Sequence, residues 1–190
     1  MFVLIFVPLG ILVGYLSGGR LSGLGKLKLR WLPLVLAALI LQLLIFPLFS
    51  EYAILPAAVG PLHVLSYGLL ALWLIANVRI APIALLSVGA GCNLSALLAN
   101  GGLMPASVTA LQRAGYAEIA QHLIEDGAYS NLILMSADTR LNALGDVLFV
   151  PEWIPLSSAF SIGDTLIMLA LGWLIVKGMR IDAKRTQGTA

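Results

Sequence analysis

Two aspartates are the side chains in this sequence best placed to carry out a reaction. Asp146 follows Gly145 and precedes an apolar run, and Asp164 lies eighteen residues further on, at the start of another apolar segment. An ionised carboxylate is costly near hydrocarbon, so an acid at such a depth is a functional hypothesis by default. Two carboxyl groups brought close cannot both ionise, so one stays protonated while the other acts as a base. The pair therefore predicts an aspartic hydrolase, in which one acid activates water and the other donates to the carbonyl oxygen.

Asp164 also has a structural interpretation. An acid near a helix N-terminus is stabilised by the unpaired backbone amides and by the helix dipole, and Ser161 is a possible N-cap. The catalytic and the structural interpretation both remain open for this residue.

Three more residues are candidates for substrate binding or oxyanion support: Asn93, Asn100 and Arg140. The two amides could donate to an oxyanion or a carbonyl, and Arg140 could clamp a phosphate or carboxylate or steady the loop of Asp146. Structural roles are open as well. Asn93 could join two helices, Asn100 could cap a helix C-terminus, and Arg140 could form a salt bridge with Asp138.

The sequence predicts no metal site and no cofactor. Its one cysteine, Cys92, excludes a cysteine metal cluster, and neither His-x-x-x-His nor a paired carboxylate spacing occurs. Neither a P-loop nor a dinucleotide-binding glycine pattern is present. The basic residues are expected to set orientation and contact anionic lipid, so we expect no nucleic acid partner.

The elements that must position these residues are membrane helices. Of the 190 residues, 60% are hydrophobic and 11% are charged, and the apolar residues form long continuous runs. In lipid such runs satisfy their backbone polar groups as helices. We therefore predict an all-α membrane protein, with residues 1–190 as a single membrane domain of about five transmembrane helices. The predicted spans are residues 2–17, 31–49, 61–78, 80–99 and 159–176.

Charge placement predicts the orientation of these spans. Nine of the eleven Lys and Arg residues fall in three segments on one side of the bundle, which the positive-inside rule places in the cytoplasm. The N-terminus is then extracytoplasmic, and eight of the nine carboxylates lie outside. The nine cations are Arg20, Lys26, Lys28, Arg30, Arg79, Lys177, Arg180, Lys184 and Arg185; the eight acids are Glu51, Glu118, Glu125, Asp126, Asp138, Asp146, Glu152 and Asp164.

Residues 100–158, which we call the insert, connect the last two spans on the extracytoplasmic side. The segment is too long for a plain linker, so it is where function is expected. Residues 106–114 and 116–126 read as short amphipathic helices, the second ended by Gly127. Residues 132–135 and 147–150 favour strands around a polar stretch.

The C-terminal part resembles bacterial lipoprotein signal peptidase. The segment around Gly145-Asp146-Val147 and the segment Phe160-Ser161-Ile162-Gly163-Asp164 are similar to the two motifs that carry the catalytic aspartates of that family. The glycine-rich stretch ending at Asn93 is similar to its Gly-Asn segment. The chain departs from the pattern at Ser161, where that family has asparagine, and by about forty extra residues before Asp146.

Over most of its length the chain looks more like a family of small bacterial membrane proteins with a domain of unknown function. The similarity lies in Asn100-Gly-Gly-Leu-Met-Pro105, in Thr139-Arg-Leu141 and in both Gly-Asp pairs. These two resemblances imply a multi-pass protein of the bacterial inner membrane. The leading hypothesis is an intramembrane aspartic hydrolase acting on a membrane-embedded or lipid-anchored polypeptide at the outer leaflet. The alternatives are a non-enzymatic carrier, a lipid or small-molecule binder, or an accessory subunit.

Overall fold

Long helices form most of the structure, a computed structural model that describes residues 5–45 and 59–181. The described chain is mostly helical, as predicted. Several predicted features lie outside the described residues. They are the start of the first predicted span, the end of the second, the connection that contains Glu51, and the cations Lys184 and Arg185. The five long helices are α1 (Phe6–Leu16), α2 (Leu32–Ile45), α3 (Val59–Asn77), α4 (Ala81–Ala99) and α7 (Ile162–Met179).

The last helix starts later than the predicted span 159–176. Residues Ser158–Phe160 form strand β5 instead, and Ser161 then caps the helix with its side chain. Because the serine hydroxyl accepts from the amide of Asp164, the helical hydrogen bonding begins only after residue 161. Apolar composition does not distinguish these strand residues from the first turn of a helix, so the predicted span includes two of them.

Helix α7 lies at the centre of the packing, between α4 and α1, while α2 pairs with α3 and α3 also contacts α4. Trp73, Leu74 and Ile83 are buried together between α3 and α4. Helices α4 and α7 approach so closely that a methyl group on Gly89 would lie 2.6 Å from the Gly163 carbonyl oxygen. This close approach fixes the relative position of the two helices that carry Asn93 and Asp164.

The insert folds as a small α/β layer over the end of α4. It contains helices α5 (Val108–Arg113) and α6 (Ala117–Asp126) and strands β1 (Met104–Ala106), β2 (Ala128–Tyr129), β3 (Leu132–Leu134) and β4 (Leu148–Val150). Strand β3 pairs parallel to β1 and antiparallel to β2, whereas β4 forms an antiparallel hairpin with β5. A core of Ala106, Leu111, Ala120 and Leu123 holds the helices on the first sheet.

The predicted helices and strands of the insert are therefore present, although the two strands belong to different sheets. The predicted helix 106–114 begins at Val108, because Ser107 is its N-cap and residues 104–106 pair with β3.

Among the described residues, α4 and α7 are long and apolar enough to cross a membrane, with 19 and 18 residues. The other long apolar stretches, in α1, α2 and α3, are shorter in their described parts. Length and composition of these helices support an association with the membrane.

Candidate functional site

Asp164 lies in the first turn of α7 and forms a capping box with Ser161. The Asp164 amide donates to the Ser161 hydroxyl over 2.9 Å, and the Ser161 amide donates to Oδ2 of Asp164 over 3.0 Å. Ser161 is fully buried. Ser161 is thus the N-cap of α7, as predicted. The capping box also fixes the orientation of the Asp164 carboxyl group.

Asn93 on α4 connects to both members of this box. Its Nδ2 donates to Oδ1 of Asp164 over 2.7 Å, and its Oδ1 accepts from the Ser161 hydroxyl over 2.8 Å. Only a residue without a side chain fits at position 163, where a methyl group would overlap Oδ1 of Asn93. Asn93 therefore joins two helices and at the same time contacts the candidate catalytic acid.

Asp146 is held at the edge of β1 by its own backbone. Its amide donates to the carbonyl of Pro105 over 2.8 Å, and its carbonyl accepts from the amide of Ser107 over 3.1 Å. This single parallel bridge needs Gly145, since a methyl group there would overlap the Pro105 carbonyl oxygen. The backbone of the insert, rather than a flexible loop, thus positions the Asp146 side chain.

The β4–β5 hairpin returns the chain from Asp146 to the start of α7. Leu148 pairs with Phe160 at the end of this hairpin, two residues after Asp146 and two residues before α7 begins at Ile162. Asp164 follows within the next turn. Burial raises the pKa of the Asp146 carboxyl from 3.8 to about 7, and the nearby Asp164 carboxylate contributes to the same rise. The structure therefore brings the two carboxyl groups within electrostatic range of each other.

An open cleft of about 380 Å³ leads to Asp164 from between the helices. We call it the interhelical cleft; polar and apolar side chains both line it. Its polar residues are Gln42, Ser66, Tyr67, Asn93 and Asp164, and its apolar residues are Val35, Ala38, Leu39, Leu70, Ala90 and Ile167.

Sequence reasoning missed three of these polar residues. Nε2 of Gln42 donates to the hydroxyl of Ser66 over 2.5 Å, and Tyr67 lies within electrostatic range of Asp164. The only signal was the presence of single polar residues inside apolar helices, which is a known mark of function in membranes.

Asn100 and Arg140 form a second cluster. The Asn100 side chain donates to the Arg140 carbonyl and accepts from the Arg140 amide, each over 2.8 Å, and also donates to the carbonyl of Ala96. Among the described residues no ion pair links Arg140 to Asp138, although both line a surface cavity of about 500 Å³. In the described part of the chain, no hydrogen bond joins Asn100 or Arg140 to Asp164.

Among the residues that the structure describes, no three His, Cys, Asp or Glu side chains lie close enough together to hold a metal ion. The site offers two carboxyl groups, amide donors and hydroxyl groups beside an apolar cleft, which is the chemistry of proton transfer and hydrogen bonding.

Comparison with protein-family models gives a match over most of the chain. The sequence model described as "Family of unknown function (DUF5317)" matches residues 26–176. No curated protein and no solved structure matches the chain. The matched range contains both aspartates, Asn93, Asn100 and Arg140, and it spans well over half of the 190 residues. The chain therefore belongs to the DUF5317 family, a family of unknown function.

Proposed function

We propose that this protein is an intramembrane aspartic hydrolase of the peptidase type, with Asp146 and Asp164 as its catalytic residues. The observation that carries the proposal is their convergence. The insert backbone fixes Asp146, the helix cap fixes Asp164, and the two carboxyl groups lie within electrostatic range of each other. An acid with a pKa near neutrality within electrostatic range of a second carboxyl group supports an aspartic hydrolase.

The two carboxyl groups take different roles in the proposed reaction. Protonated Asp146 donates to the carbonyl oxygen of the substrate, while Asp164, already an acceptor of two N–H groups, removes a proton from water. The water oxygen then bonds to the carbonyl carbon. Collapse of the tetrahedral intermediate breaks the C–N bond as the proton held by Asp164 passes to nitrogen and a hydroxyl proton of the intermediate returns to Asp146, which gives an amine and a carboxylic acid.

The proposed location is the bacterial inner membrane, with five spans and an extracytoplasmic N-terminus. Large apolar side chains on every long helix point away from the protein core, among them Leu12, Ile40, Ile75, Leu98 and Trp173. A soluble protein rarely exposes so many, whereas lipid solvates them. The similarity of both Gly-Asp segments to lipoprotein signal peptidase supports a lipid-anchored or membrane-embedded substrate at the outer leaflet.

A lipid or small-molecule carrier is the second candidate. A groove of about 250 Å³ between α3 and α4 favours it, because the lining is almost entirely apolar and opens toward the helix surface. In that case Asp146 and Asp164 bind a proton during transport and no bond is cleaved. The groove is lined by Tyr67, Leu70, Ala71, Leu74, Ile75, Val78, Ser87, Ala90, Gly91 and Leu94.

Mass spectrometry of membrane proteins and lipids, with and without the full-length protein, distinguishes the two. Hydrolysis gives shortened polypeptides that vanish with Asp146→Asn and with Asp164→Asn, whereas a carrier changes lipid distribution without new termini. Glu118→Gln, which removes an exposed carboxylate of the insert, is the matched control and should retain the products. Products that persist in both aspartate variants would refute the mechanism.

A further inference from the structure

An open groove of about 220 Å³ lies between α1 and α7, and neither aspartate lines it. Gly10 of α1 and Gly172 of α7 both line this groove, and a methyl group on Gly10 would lie 3.2 Å from the Gly172 backbone. The two helices therefore cross closely here. The larger side chains of the lining are apolar and about half exposed, so the surrounding medium reaches the groove; they include Leu9, Val13, Leu169 and Trp173.

A second cavity, of about 340 Å³, continues the groove toward the C-terminal end of α7. Trp173 and Val176 line both cavities. The second cavity adds Lys177, Arg180 and Ile181, so its far end is basic. We call the two together the α1–α7 groove, which is apolar in one part and positively charged in the other.

The length of the groove along α7 matches one leaflet of a bilayer. From Leu169 to Arg180 the helix rises about 16 Å, roughly half of the hydrocarbon thickness of a membrane. Trp173 lies one turn before Lys177. Tryptophan is enriched where hydrocarbon meets the headgroups, and the long side chains of Lys and Arg extend toward the headgroups. The order of residue types along α7 is therefore that of a lipid molecule, apolar first and charged at the end.

The basic end has a positive charge that no described carboxylate neutralises. In residues 5–45 and 59–181, no Asp or Glu lines the groove, and no ion pair involves Lys177 or Arg180. In the sequence Asp182 comes next, but Lys184 and Arg185 follow and outnumber it. Lys and Arg side chains donate strong hydrogen bonds to phosphate oxygens. The charge therefore favours an anionic ligand group at this end.

We propose that the α1–α7 groove binds one anionic phospholipid of the cytoplasmic leaflet. Its phosphate lies at Lys177 and Arg180, and an acyl chain lies along the apolar part. The apolar part favours a lipid over a soluble anion, which would contact only the basic end. Lipid contact, which the sequence predicts for the cations in general, is thereby assigned to one discrete site. The proposal rests on the proposed membrane location and orientation, and it is independent of hydrolysis because neither Asp146 nor Asp164 lines the groove.

Photocrosslinking at neighbouring positions of α1 tests the proposal. A photoreactive amino acid replaces Val13, which lines the groove, or Leu12, which does not; the native side chains are 43% and 54% exposed. The full-length protein is placed in nanodiscs with equal amounts of phosphatidylglycerol, which is anionic, and phosphatidylcholine, which has no net charge. Mass spectrometry measures the ratio of crosslinked phosphatidylglycerol to crosslinked phosphatidylcholine. This ratio should be at least fivefold higher at position 13 than at position 12.

Lys177→Gln combined with Arg180→Gln should lower the ratio at position 13 to that at position 12. Lys28→Gln combined with Arg79→Gln is the matched control, because it removes two cations from the same predicted face that do not line the groove. This control should keep the high ratio at position 13.

Equal ratios at the two positions would overturn the proposal, because they would show contact with bulk lipid only. An equal loss in both double variants would also overturn it, since the preference would then follow net charge and not the groove. A protein that does not enter nanodiscs would contradict the membrane location and the lipid site together. The expected ratios in a protein that forms no hydrolysis products would support the lipid site and count against the proposed reaction alone.

Discussion

Asn93 has two separate hydrogen-bonding roles at one point of the structure. Its amide nitrogen donates to Asp164, and its amide oxygen accepts from the hydroxyl of Ser161. The sequence predicted an interhelical hydrogen bond for Asn93 and a helix cap for Ser161. The structure contains both. They do not compete with the proposed catalytic role, because the same contacts orient the carboxyl group.

Asn93→Ala should reduce hydrolysis by about 10- to 100-fold, because a hydrogen bond to a charged group contributes about 1.5–3 kcal/mol. The loss is measured as product formed per protein by mass spectrometry. Cys92→Ala changes the neighbouring residue on the same helix without touching Asp164 and serves as the control. Equal activity of the two variants would remove Asn93 from the site.

The raised pKa of Asp146 predicts how stability depends on pH. The folded protein keeps the Asp146 proton up to about pH 7, whereas the unfolded chain releases it near 3.8. In this interval the folded state binds more protons, so the free energy of unfolding decreases as pH rises, and it levels off above about 7. The stability that the folded protein gains by keeping Asp146 protonated is therefore complete only below pH 3.8, the pKa of this group in the unfolded chain.

Asp146→Asn cannot ionise and should lose this dependence. Thermal unfolding of the purified full-length protein in detergent, at pH 5 and pH 8, compares the two forms. The melting temperature of the wild type should fall relative to that of the variant on going from pH 5 to pH 8. Asp164→Asn should lower the pKa of Asp146 only in part, since burial is the larger cause. Parallel curves for wild type and Asp146→Asn would contradict the assigned pKa.

At the scale of elements, the contact between α4 and α7 determines whether the site can form. The backbones meet at Gly89 and Gly163, directly beside Asn93. Small residues at such crossings allow close approach of membrane helices. The insert matters equally, because its β1 edge and its hairpin set the position of Asp146.

Gly89→Ala should destabilise the protein by about 1–3 kcal/mol and also reduce activity, because the added methyl group forces the helices apart. Its Cβ would lie 2.6 Å from the Gly163 carbonyl oxygen and 3.0 Å from Ile167. Gly91→Ala, two residues along the same helix, meets nothing within 4 Å and should be neutral or slightly stabilising. Thermal unfolding and product formation in the two variants measure the difference, and equal effects would reject the close approach.

Features that depend on nearby residues could be predicted from the sequence, such as helices and their ends. Features that depend on packing between distant parts of the chain could not. Long apolar runs located the helices, and Gly127 marked the end of α6, whose cap has a left-handed backbone. The strand before α7 was missed, since Ser158–Phe160 carries no pattern that distinguishes it from a helix start. Gln42 and Tyr67 could not be assigned to the site, because the rotation of each helix about its axis is set only by its neighbours.

At the scale of the whole molecule, the predicted separation of cations and carboxylates across the membrane relates the fold to the proposed function. The proposed reaction requires Asp146, Asp164 and the insert on the extracytoplasmic side, where a lipid-anchored polypeptide of the outer leaflet is accessible. The cations of the segment around the 3₁₀ turn Leu21–Lys26, which packs against the end of α7, then face the cytoplasm.

Labelling of single cysteines should reveal this orientation. In a Cys92→Ala background, which removes the one native cysteine, Ser136→Cys places a thiol on the exposed insert and Ser22→Cys places one in the 3₁₀ turn. A membrane-impermeant maleimide should label position 136 in intact cells and position 22 only after the membrane is permeabilised. We expect Arg20, Lys26, Lys28 and Arg30 to set this orientation, so replacing all four with Gln should lower the fraction of molecules labelled at position 136. Labelling of position 22 in intact cells would place the aspartates in the cytoplasm and exclude a substrate at the outer leaflet.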